Sequence, residues 1–254
     1  MKRFSGKVAL VTGATTGIGQ ATAVRLASEG ALVAVNRKPG LDADETLAKV
    51  KAAGGEAFDV EADMRDPAAV KAMVLEAAKR GGRLDYIVSN AAINPFMPWD
   101  ATDIENFNEL FEINVRGSWV VCTEGAKQMI AEKHGGAIVM ISSISAHVGS
   151  PTQVAYCGTK GAITMLGKAL GSVLGNHGIR VNVVEPGAVR TSMSAPMFEM
   201  PDVMKYYEDR IALHRVAEPH ELAATVAFLL SDDASYVTSA SLLVDAGFIV
   251  NAEL

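Results

Sequence analysis

The chain has 254 residues, 49% of them hydrophobic, which is enough for one soluble domain with a large core, and no stretch approaches the roughly 20 apolar residues of a membrane-spanning helix. Its formal net charge of −6 includes no basic block, so the composition excludes the broad electrostatic attraction by which proteins bind nucleic acids or anionic membranes. The two cysteines, Cys122 and Cys157, match neither a disulfide framework nor a metal-ligand spacing, and no signal peptide precedes the first predicted strand, so we expect a cytoplasmic protein without a metal site.

Short apolar runs alternate along the chain with longer segments of helical periodicity, a pattern typical of parallel strands that helices cover on both faces. In chain order, the predicted strands are residues 7–12, 32–36, 57–61, 86–89, 137–141, 180–184 and 241–244. The predicted helices are residues 17–28, 42–53, 67–80, 103–133, 153–176 and 219–230. The sequence therefore predicts a single α/β domain over residues 1–254, with three layers and a seven-stranded parallel sheet in the middle.

The first predicted strand runs into a glycine-rich turn and then a helix. Glycines at these places let the backbone turn tightly and approach a pyrophosphate, which the positive end of the following helix attracts. The spacing is one residue longer than the strict dinucleotide fingerprint, but the strand before it and the helix after it supply the required context. A simple strand-to-helix turn is the alternative. The candidate phosphate-binding residues are Gly13, Thr15, Thr16, Gly17, Ile18 and Gly19.

The second predicted strand ends at two basic residues, Arg37 and Lys38, where a carboxylate would hydrogen-bond the hydroxyls of an adenosine ribose. An arginine at this place accommodates a 2′-phosphate, so the sequence favours NADP as cofactor and leaves NAD as the alternative. Solvated basic residues without such a role are also common at strand ends. Asp63 follows the third strand, where it is a candidate ligand of the adenine amino group or a cap for the next helix.

Tyr156 and Lys160 lie four residues apart in a predicted helix and so project from one face. A neighbouring ammonium favours the phenolate form of a tyrosine, which lowers the phenol pKa and suits the group to acid/base chemistry. This spacing is common by itself, but Ser143 closes an apolar strand thirteen residues earlier. Asn114, a polar residue among apolar neighbours in the long fourth helix, needs hydrogen-bond partners if it is buried.

Residues 190–215 fit neither the helical nor the strand period and are rich in Met, Ser and Pro. A long irregular insertion after a strand is usually a functional segment, so we expect a substrate lid here. A surface excursion without function is the alternative.

These motifs occur together in the order and spacing of the classical short-chain dehydrogenase/reductase family, which the sequence resembles over essentially its whole length. The matching residues are Thr12-Gly13-x3-Gly17-Ile18-Gly19, Asp63, Asn90-Ala91, Asn114, Ser143, Tyr156-x3-Lys160, Pro186-Gly187 and Thr191. The resemblance implies a Rossmann-like sheet, hydride transfer between a nicotinamide and a carbon that bears oxygen, and a homotetramer. One departure is Ala92, where the family more often has glycine.

The resemblance also implies a role for each catalytic residue. Tyr156 is expected to be the acid/base, and Lys160 to bond the nicotinamide ribose and depress the tyrosine pKa. Ser143 is expected to orient the substrate oxygen, and Asn114 to hold a water in a proton relay. Further implied cofactor contacts are Met64, Asn90, Ala91, Tyr156, Lys160, Pro186, Gly187, Val189 and Thr191.

Residues 89–96, 141–146, 207–213 and 243–251 are similar to the sugar 1-dehydrogenases of this family, those acting on L-rhamnose in particular. That similarity implies oxidation of the C1 hydroxyl of an aldose to a lactone. The candidate substrate ligands are Asn94, Ser143, Ser145, Gln153 and Tyr156.

Two alternative functions stay open at this point. A methionine-rich lid also suits an apolar ketone, so a carbonyl or ketone reductase with the same catalytic residues is the first alternative. A nucleotide-binding regulator without turnover is the second, and the joint presence of Asn114, Ser143, Tyr156 and Lys160 speaks against it.

Overall fold

Residues 2–251 are described in a computed structural model, in which a parallel sheet lies between two layers of helices. Its strands are β1 (Val8–Val11), β2 (Leu32–Arg37), β3 (Glu56–Glu61), β4 (Tyr86–Ser89), β5 (Gly136–Ile141), β6 (Ile179–Pro186) and β7 (Ser241–Val244). They pair in parallel in the order β3-β2-β1-β4-β5-β6-β7. The predicted three-layer α/β fold with a seven-stranded parallel sheet is therefore confirmed.

The helices of the described residues follow the predicted alternation, with additions in the second half of the chain. They are α1 (Gly17–Ser28), α2 (Asp44–Ala52), α3 (Pro67–Gly81), α4 (Ile104–Phe111), α5 (Ser118–Glu132), α6 (Val154–Leu174), α7 (Ala195–Phe198), α8 (Pro201–Arg210) and α9 (Pro219–Leu230). None of them combines the length and the apolarity that a helix needs to cross a bilayer.

The two faces of the sheet belong to two separate apolar cores. On β1, Val8 and Leu10 contribute to one cluster, whereas Ala9 and Val11 contribute to the other. Successive strand residues point to opposite faces, and both faces are covered by helices, so the strand is a continuous apolar run. Each buried Val or Leu side chain contributes roughly 1.5–3 kcal/mol, so the central strands contribute a large share of the free energy of folding.

The strand order reverses between β1 and β4, because β2 and β3 lie on one side of β1 and β4 to β7 lie on the other. At such a reversal the loops after two neighbouring strands diverge and leave a crevice at the carboxyl edge of the sheet. The glycine-rich turn follows β1 and residues 90–103 follow β4, so both segments border this crevice.

The structure differs from the sequence prediction in two places. The predicted helix 103–133 is divided into α4 and α5 by a π-helical turn, Glu112–Gly117, which contains Asn114. The segment 190–215, predicted to be irregular, contains α7 and α8. In α8 no residue is fully buried, and its short apolar side, with Met204 and Tyr207, packs against the small cluster of Phe198, Ile211, Val216 and Phe248.

Candidate active site

The turn after β1 has a backbone that side chains at its glycines would obstruct. Gly13 has φ +60°, and a Cβ on it would lie 2.8 Å from the Cα of Ala91. A Cβ on Gly19 would lie 2.3 Å from the carbonyl oxygen of Gly13. The turn leads directly into α1, and the N-terminal amides of a helix bind anions. The backbone of this turn therefore excludes side chains at Gly13 and Gly19, and the binding of a pyrophosphate by the turn stays a prediction.

Asparagine side chains hold this turn from the strands on both sides. Asn90, after β4, donates from Nδ2 to the carbonyl oxygens of Thr12 at 2.9 Å and Gly13 at 3.0 Å. Asn36 on β2 accepts the Gly13 amide through Oδ1 at 3.1 Å. Asn90 thus stabilises the backbone of the glycine-rich turn. Asn36, which is 2% exposed, was not predicted from the sequence, although an asparagine within an apolar strand needs hydrogen-bond partners and so indicates such a role.

A cavity of about 400 Å³ runs along the carboxyl edge of the sheet. Most of the predicted cofactor ligands line it: Gly13, Thr15, Thr16, Gly17, Ile18, Asp63, Met64, Asn90, Ala91, Tyr156, Lys160, Pro186, Gly187, Val189 and Thr191. We call the part near Lys38, Leu41 and Asp63 the adenosine end. Gly19 and Arg37 lie beside this lining rather than in it.

Salt bridges surround the adenosine end. The Arg65 guanidinium donates to Asp63, with Nη2 at 2.6 Å from Oδ2, and this hydrogen bonding holds the pKa of the Asp63 carboxyl below its ordinary value. Arg37 is bonded to Asp59 and Glu61 on β3. The two predicted adenosine ligands, Asp63 and Arg37, therefore already have partners of opposite charge.

Tyr156 and Lys160 lie on α6 and face the other end of the cavity, close to the end of β5. The Lys160 ammonium is 5.4 Å from the centre of the Tyr156 ring and donates to the carbonyl oxygen of Ile141 at 2.9 Å. Ser143, two residues after that carbonyl, lines the same part of the cavity. The structure thus brings the predicted acid/base pair and the predicted orienting hydroxyl together.

Burial controls the pKa values of this pair. Desolvation raises the pKa of Tyr156, and hydrogen bonding by the Ser143 side chain opposes that effect. Desolvation lowers the pKa of Lys160 to about 8. The direction for Tyr156 is opposite to the one expected from the sequence, because removal of the phenol from water is the largest effect on its pKa.

Asn114 is 1% exposed, and its amide joins the loop after β4 to α6. Oδ1 accepts from the Ile93 amide at 2.9 Å, while Nδ2 donates to the Ile93 carbonyl at 3.0 Å and to the Thr159 hydroxyl at 3.2 Å. The need for partners that the sequence predicts is therefore met. The role of Asn114 in a proton relay stays a prediction.

All predicted substrate ligands line the cavity, namely Asn94, Ser143, Ser145, Gln153 and Tyr156. The segment 190–215 adds apolar side chains to the same wall, among them Met193, Met197, Phe198 and Tyr207. The sequence reasoning identified the methionines of this segment but missed the two aromatic residues, which no periodicity marks. The wall is therefore mixed, with hydroxyls and amides on one part and apolar groups on the other.

A buried carboxylate lies beneath the catalytic helix. Glu185 on β6 is 1% exposed and accepts from the Thr164 hydroxyl at 2.7 Å and from His147 Nε2 at 2.7 Å. The Thr164 oxygen is 2.9 Å from Ser142 Oγ, and Ser142 donates to the Lys160 carbonyl at 2.8 Å. This network, which the sequence reasoning missed, connects the ends of β5 and β6 to α6.

Comparisons with known proteins agree with this geometry. Residues 13–249 match a family model described as enoyl-(acyl carrier protein) reductase. An L-rhamnose 1-dehydrogenase (NAD(P)(+)) from Sphingomonas sp. (strain SKA58) is 39% identical, and the match covers 100% of both chains. An L-rhamnose 1-dehydrogenase (NADP(+)) from Thermoplasma acidophilum is 35% identical over 100% of both chains. The crystal structure of a putative 2-deoxy-D-gluconate 3-dehydrogenase from Agrobacterium tumefaciens with bound NADP has a TM-score of 0.91 and 30% identity, and the match covers 98% of this chain and 100% of that one.

The chain belongs to the short-chain dehydrogenase/reductase family, as the fold, the glycine cradle and the tyrosine and lysine of α6 already indicate. It is an NAD(P)-dependent oxidoreductase that acts on a carbon bearing oxygen, so the family resemblance seen in the sequence is confirmed.

Proposed function

We propose that this enzyme oxidises the C1 hydroxyl of an aldose such as L-rhamnose to a lactone, with NADP as its preferred cofactor and NAD as an alternative. The observation that carries the proposal is the position of Ser143 and Tyr156 at a cavity wall that also holds Asn94, Ser145 and Gln153. Two relatives matched over their whole length bear the name L-rhamnose 1-dehydrogenase, which supports the same substrate.

The oxidation removes a proton from the C1 hydroxyl and a hydride from C1, and it leaves the carbonyl of the lactone. Ser143 donates a hydrogen bond to the substrate oxygen and aligns it with Tyr156, which accepts the proton as a phenolate that the Lys160 ammonium stabilises against the cost of burial. Lys160, held against the Ile141 carbonyl, places a positive charge 5.4 Å from the tyrosine ring. When bound, the nicotinamide cofactor supplies the hydride acceptor.

The lining of the cavity assigns the remaining contacts. Pro186, Gly187, Val189 and Thr191 border the nicotinamide in this proposal, and the glycine turn holds the pyrophosphate. Asn94, Ser145 and Gln153 hydrogen-bond the sugar hydroxyls, so a sugar of different configuration leaves polar groups in the site without partners. Residues 190–215 act as the lid that closes the same single domain over the substrate.

A substrate panel tests the proposal. Purified enzyme is expected to reduce NADP with L-rhamnose and with few other aldoses, and Tyr156→Phe is expected to abolish most turnover while it leaves the dissociation constant of NADPH nearly unchanged. If none of the aldoses in the panel supports the reduction of NADP, the sugar assignment is refuted.

The apolar part of the wall favours one second candidate, a reductase of small ketones or quinones. Met193, Met197, Phe198 and Tyr207 give this part of the cavity an adaptable, apolar surface. Oxidation of NADPH with such carbonyl compounds, together with no reaction of aldoses, would establish the second candidate in place of the first.

We further propose that the enzyme is a cytoplasmic homotetramer. Free thiols at Cys122 and Cys157 suit a reducing compartment. Large apolar side chains are exposed on neighbouring helices, including Trp119 of α5 and Met165 of α6, and exposed apolar patches mark contacts between subunits. Light scattering during size-exclusion chromatography measures the mass of the protein in solution. A mass equal to that of one chain would exclude the homotetramer.

A further inference from the structure

Three charged residues lie together at the edge formed by β2 and β3. Asp59 and Glu61 are two residues apart on β3, so their side chains point to the same face of the sheet. Arg37, the last residue of β2, is the register partner of Glu61. The strand pairing alone therefore places one guanidinium beside two carboxylates.

The side chains use this placement to form two ion pairs. Arg37 Nε donates to Asp59 Oδ2 at 2.7 Å, and Arg37 Nη1 donates to Glu61 Oε2. The hydrogen bonds that Arg37 donates to Asp59 and Glu61 raise the pKa of the guanidinium above its ordinary value. The charge of Arg37 is thus balanced by two carboxylates.

The same guanidinium reaches the adenosine end of the cavity. Arg37 Nη1 donates to the carbonyl oxygen of Leu41 at 3.3 Å, and Leu41 lines the cavity. Lys38 also lines it, is half exposed, and has Asp63 as its nearest carboxylate at 3.9 Å. A phosphate on the 2′ position of an adenosine held there would meet Lys38 directly, whereas the positive charge of Arg37 is already balanced by two carboxylates that engage its Nε and Nη1.

We propose that Asp59 and Glu61 set the balance between NADP and NAD, because their ion pairs with Arg37 compete with the 2′-phosphate for its guanidinium. They are specificity-determining residues that lower the affinity for NADP and leave the affinity for NAD unchanged. The inference rests on the cofactor in the proposed function and not on the sugar.

Binding of the reduced cofactors to the purified full-length enzyme tests the inference without any sugar, so a wrong substrate assignment does not affect the result. The variants are Asp59→Asn, Glu61→Gln and the double substitution, and nicotinamide fluorescence gives the dissociation constants of NADPH and NADH. A single exposed ion pair changes a binding constant by roughly two- to fivefold, so each single variant is expected to bind NADPH more tightly by that factor. The double variant is expected to gain more, and NADH affinity is expected to stay constant.

Two controls separate this effect from a general change of charge. Glu56→Gln removes a carboxylate from the exposed start of the same strand and is expected to leave the ratio of the two constants unchanged. In an Arg37→Met background, Asp59→Asn is expected to have no effect on NADPH, because no guanidinium is left to release.

The direction in which NADPH affinity changes shows whether the two carboxylates compete with the 2′-phosphate for Arg37 or orient Arg37 toward it. Weaker NADPH binding by both Asp59→Asn and Glu61→Gln would mean that the carboxylates orient Arg37 toward the phosphate, and it would overturn the inference. Unchanged NADPH binding, or equal tightening of NADPH and NADH, would overturn it as well. Because the two single variants are independent surface changes, either of them suffices if the other fails to fold.

Discussion

Replacing Lys160 by methionine is expected to stabilise the cofactor-free enzyme at pH 7 while it destroys activity. Lys160 is 3% exposed, and its ammonium is buried near the floor of the cavity, where it donates to the Ile141 carbonyl. Methionine has a similar length and no charge, so the variant fills the same space without the cost of desolvating an ammonium.

The pKa of Lys160 gives the size of this effect. Burial lowers the pKa from 10.5 to about 8, and each pKa unit corresponds to about 1.4 kcal/mol, so the charged form costs about 3 kcal/mol. The variant also leaves the Ile141 carbonyl without its donor, at a cost of about 1 kcal/mol. The net expectation is a gain of about 2 kcal/mol in the free energy of unfolding at pH 7.

The dependence on pH distinguishes this explanation from a packing effect. Below pH 8 the lysine is protonated in the folded and the unfolded chain, so the full cost of the buried charge is present. Between pH 8 and the ordinary lysine value the unfolded chain binds more protons, so the stability of the wild type rises with pH. Above that range both states are neutral, and the advantage of the variant disappears.

Urea unfolding of both proteins between pH 7 and pH 10, at one fixed protein concentration, measures the difference. A variant that is less stable than the wild type at pH 7, or a stability gain that does not shrink as the pH rises, would refute the reasoning.

Three further substitutions test the bracing of the site. Gly19→Ala places a Cβ 2.3 Å from the Gly13 carbonyl, so we expect a loss of roughly 1–3 kcal/mol in the free energy of unfolding and weaker NADPH binding by fluorescence titration. Asn114→Ala removes the hydrogen bonds to both backbone groups of Ile93, with an expected cost of about 3 kcal/mol in urea unfolding and a fall in kcat. Glu185→Gln is expected to cost about 1–3 kcal/mol at pH 7 by the same measurement. Burial raises the pKa of Glu185, but hydrogen bonds from Thr164 and His147 help to hold it below the ordinary value, so this difference should vanish as the pH falls through the acidic range.

Each of these expectations has an outcome that contradicts it. Gly161→Ala is the control for the glycine, because a Cβ on this helical residue meets open space, and equal losses from both substitutions would exclude the steric explanation. An Asn114→Ala enzyme with unchanged stability would show that the two bonds to Ile93 contribute nothing. A Glu185→Gln difference that persists unchanged in acid would mean that the charge of the carboxylate has no part in it.

The sequence predicts the parts of the molecule that depend on local pattern. The alternation of apolar strands and amphipathic helices predicts the sheet. The turn from Gly13 to Gly19 is also predicted, because its backbone excludes side chains and so requires a recognisable pattern of glycines. The positions of Tyr156 and Lys160 on one helical face follow from a spacing of four residues.

Other features depend on partners that are distant in the chain, so no local pattern predicts them. The π-helical turn at Asn114 forms because its amide bonds to Ile93 and Thr159, both more than twenty residues away. The pairing of Arg37 with Asp59 and Glu61 needs the register of β2 against β3. The rise in the Tyr156 pKa comes from burial, which helical spacing does not reveal.

The asparagine brace of the glycine turn has a consequence for the timing of the catalytic cycle. Asn36 on β2 and Asn90 after β4 both hydrogen-bond Gly13, so the glycine-rich turn is expected to lose little conformational entropy when it binds the dinucleotide. In the proposed lid role of residues 190–215, exchange of the cofactor requires motion of the partly exposed helices α7 and α8, and product release rather than chemistry is then expected to limit the rate. Hydrogen exchange of the cofactor-free enzyme tests the difference in rigidity on which this expectation rests: amides of residues 12–14 should be protected far longer than those of residues 195–210, and equal protection would contradict it.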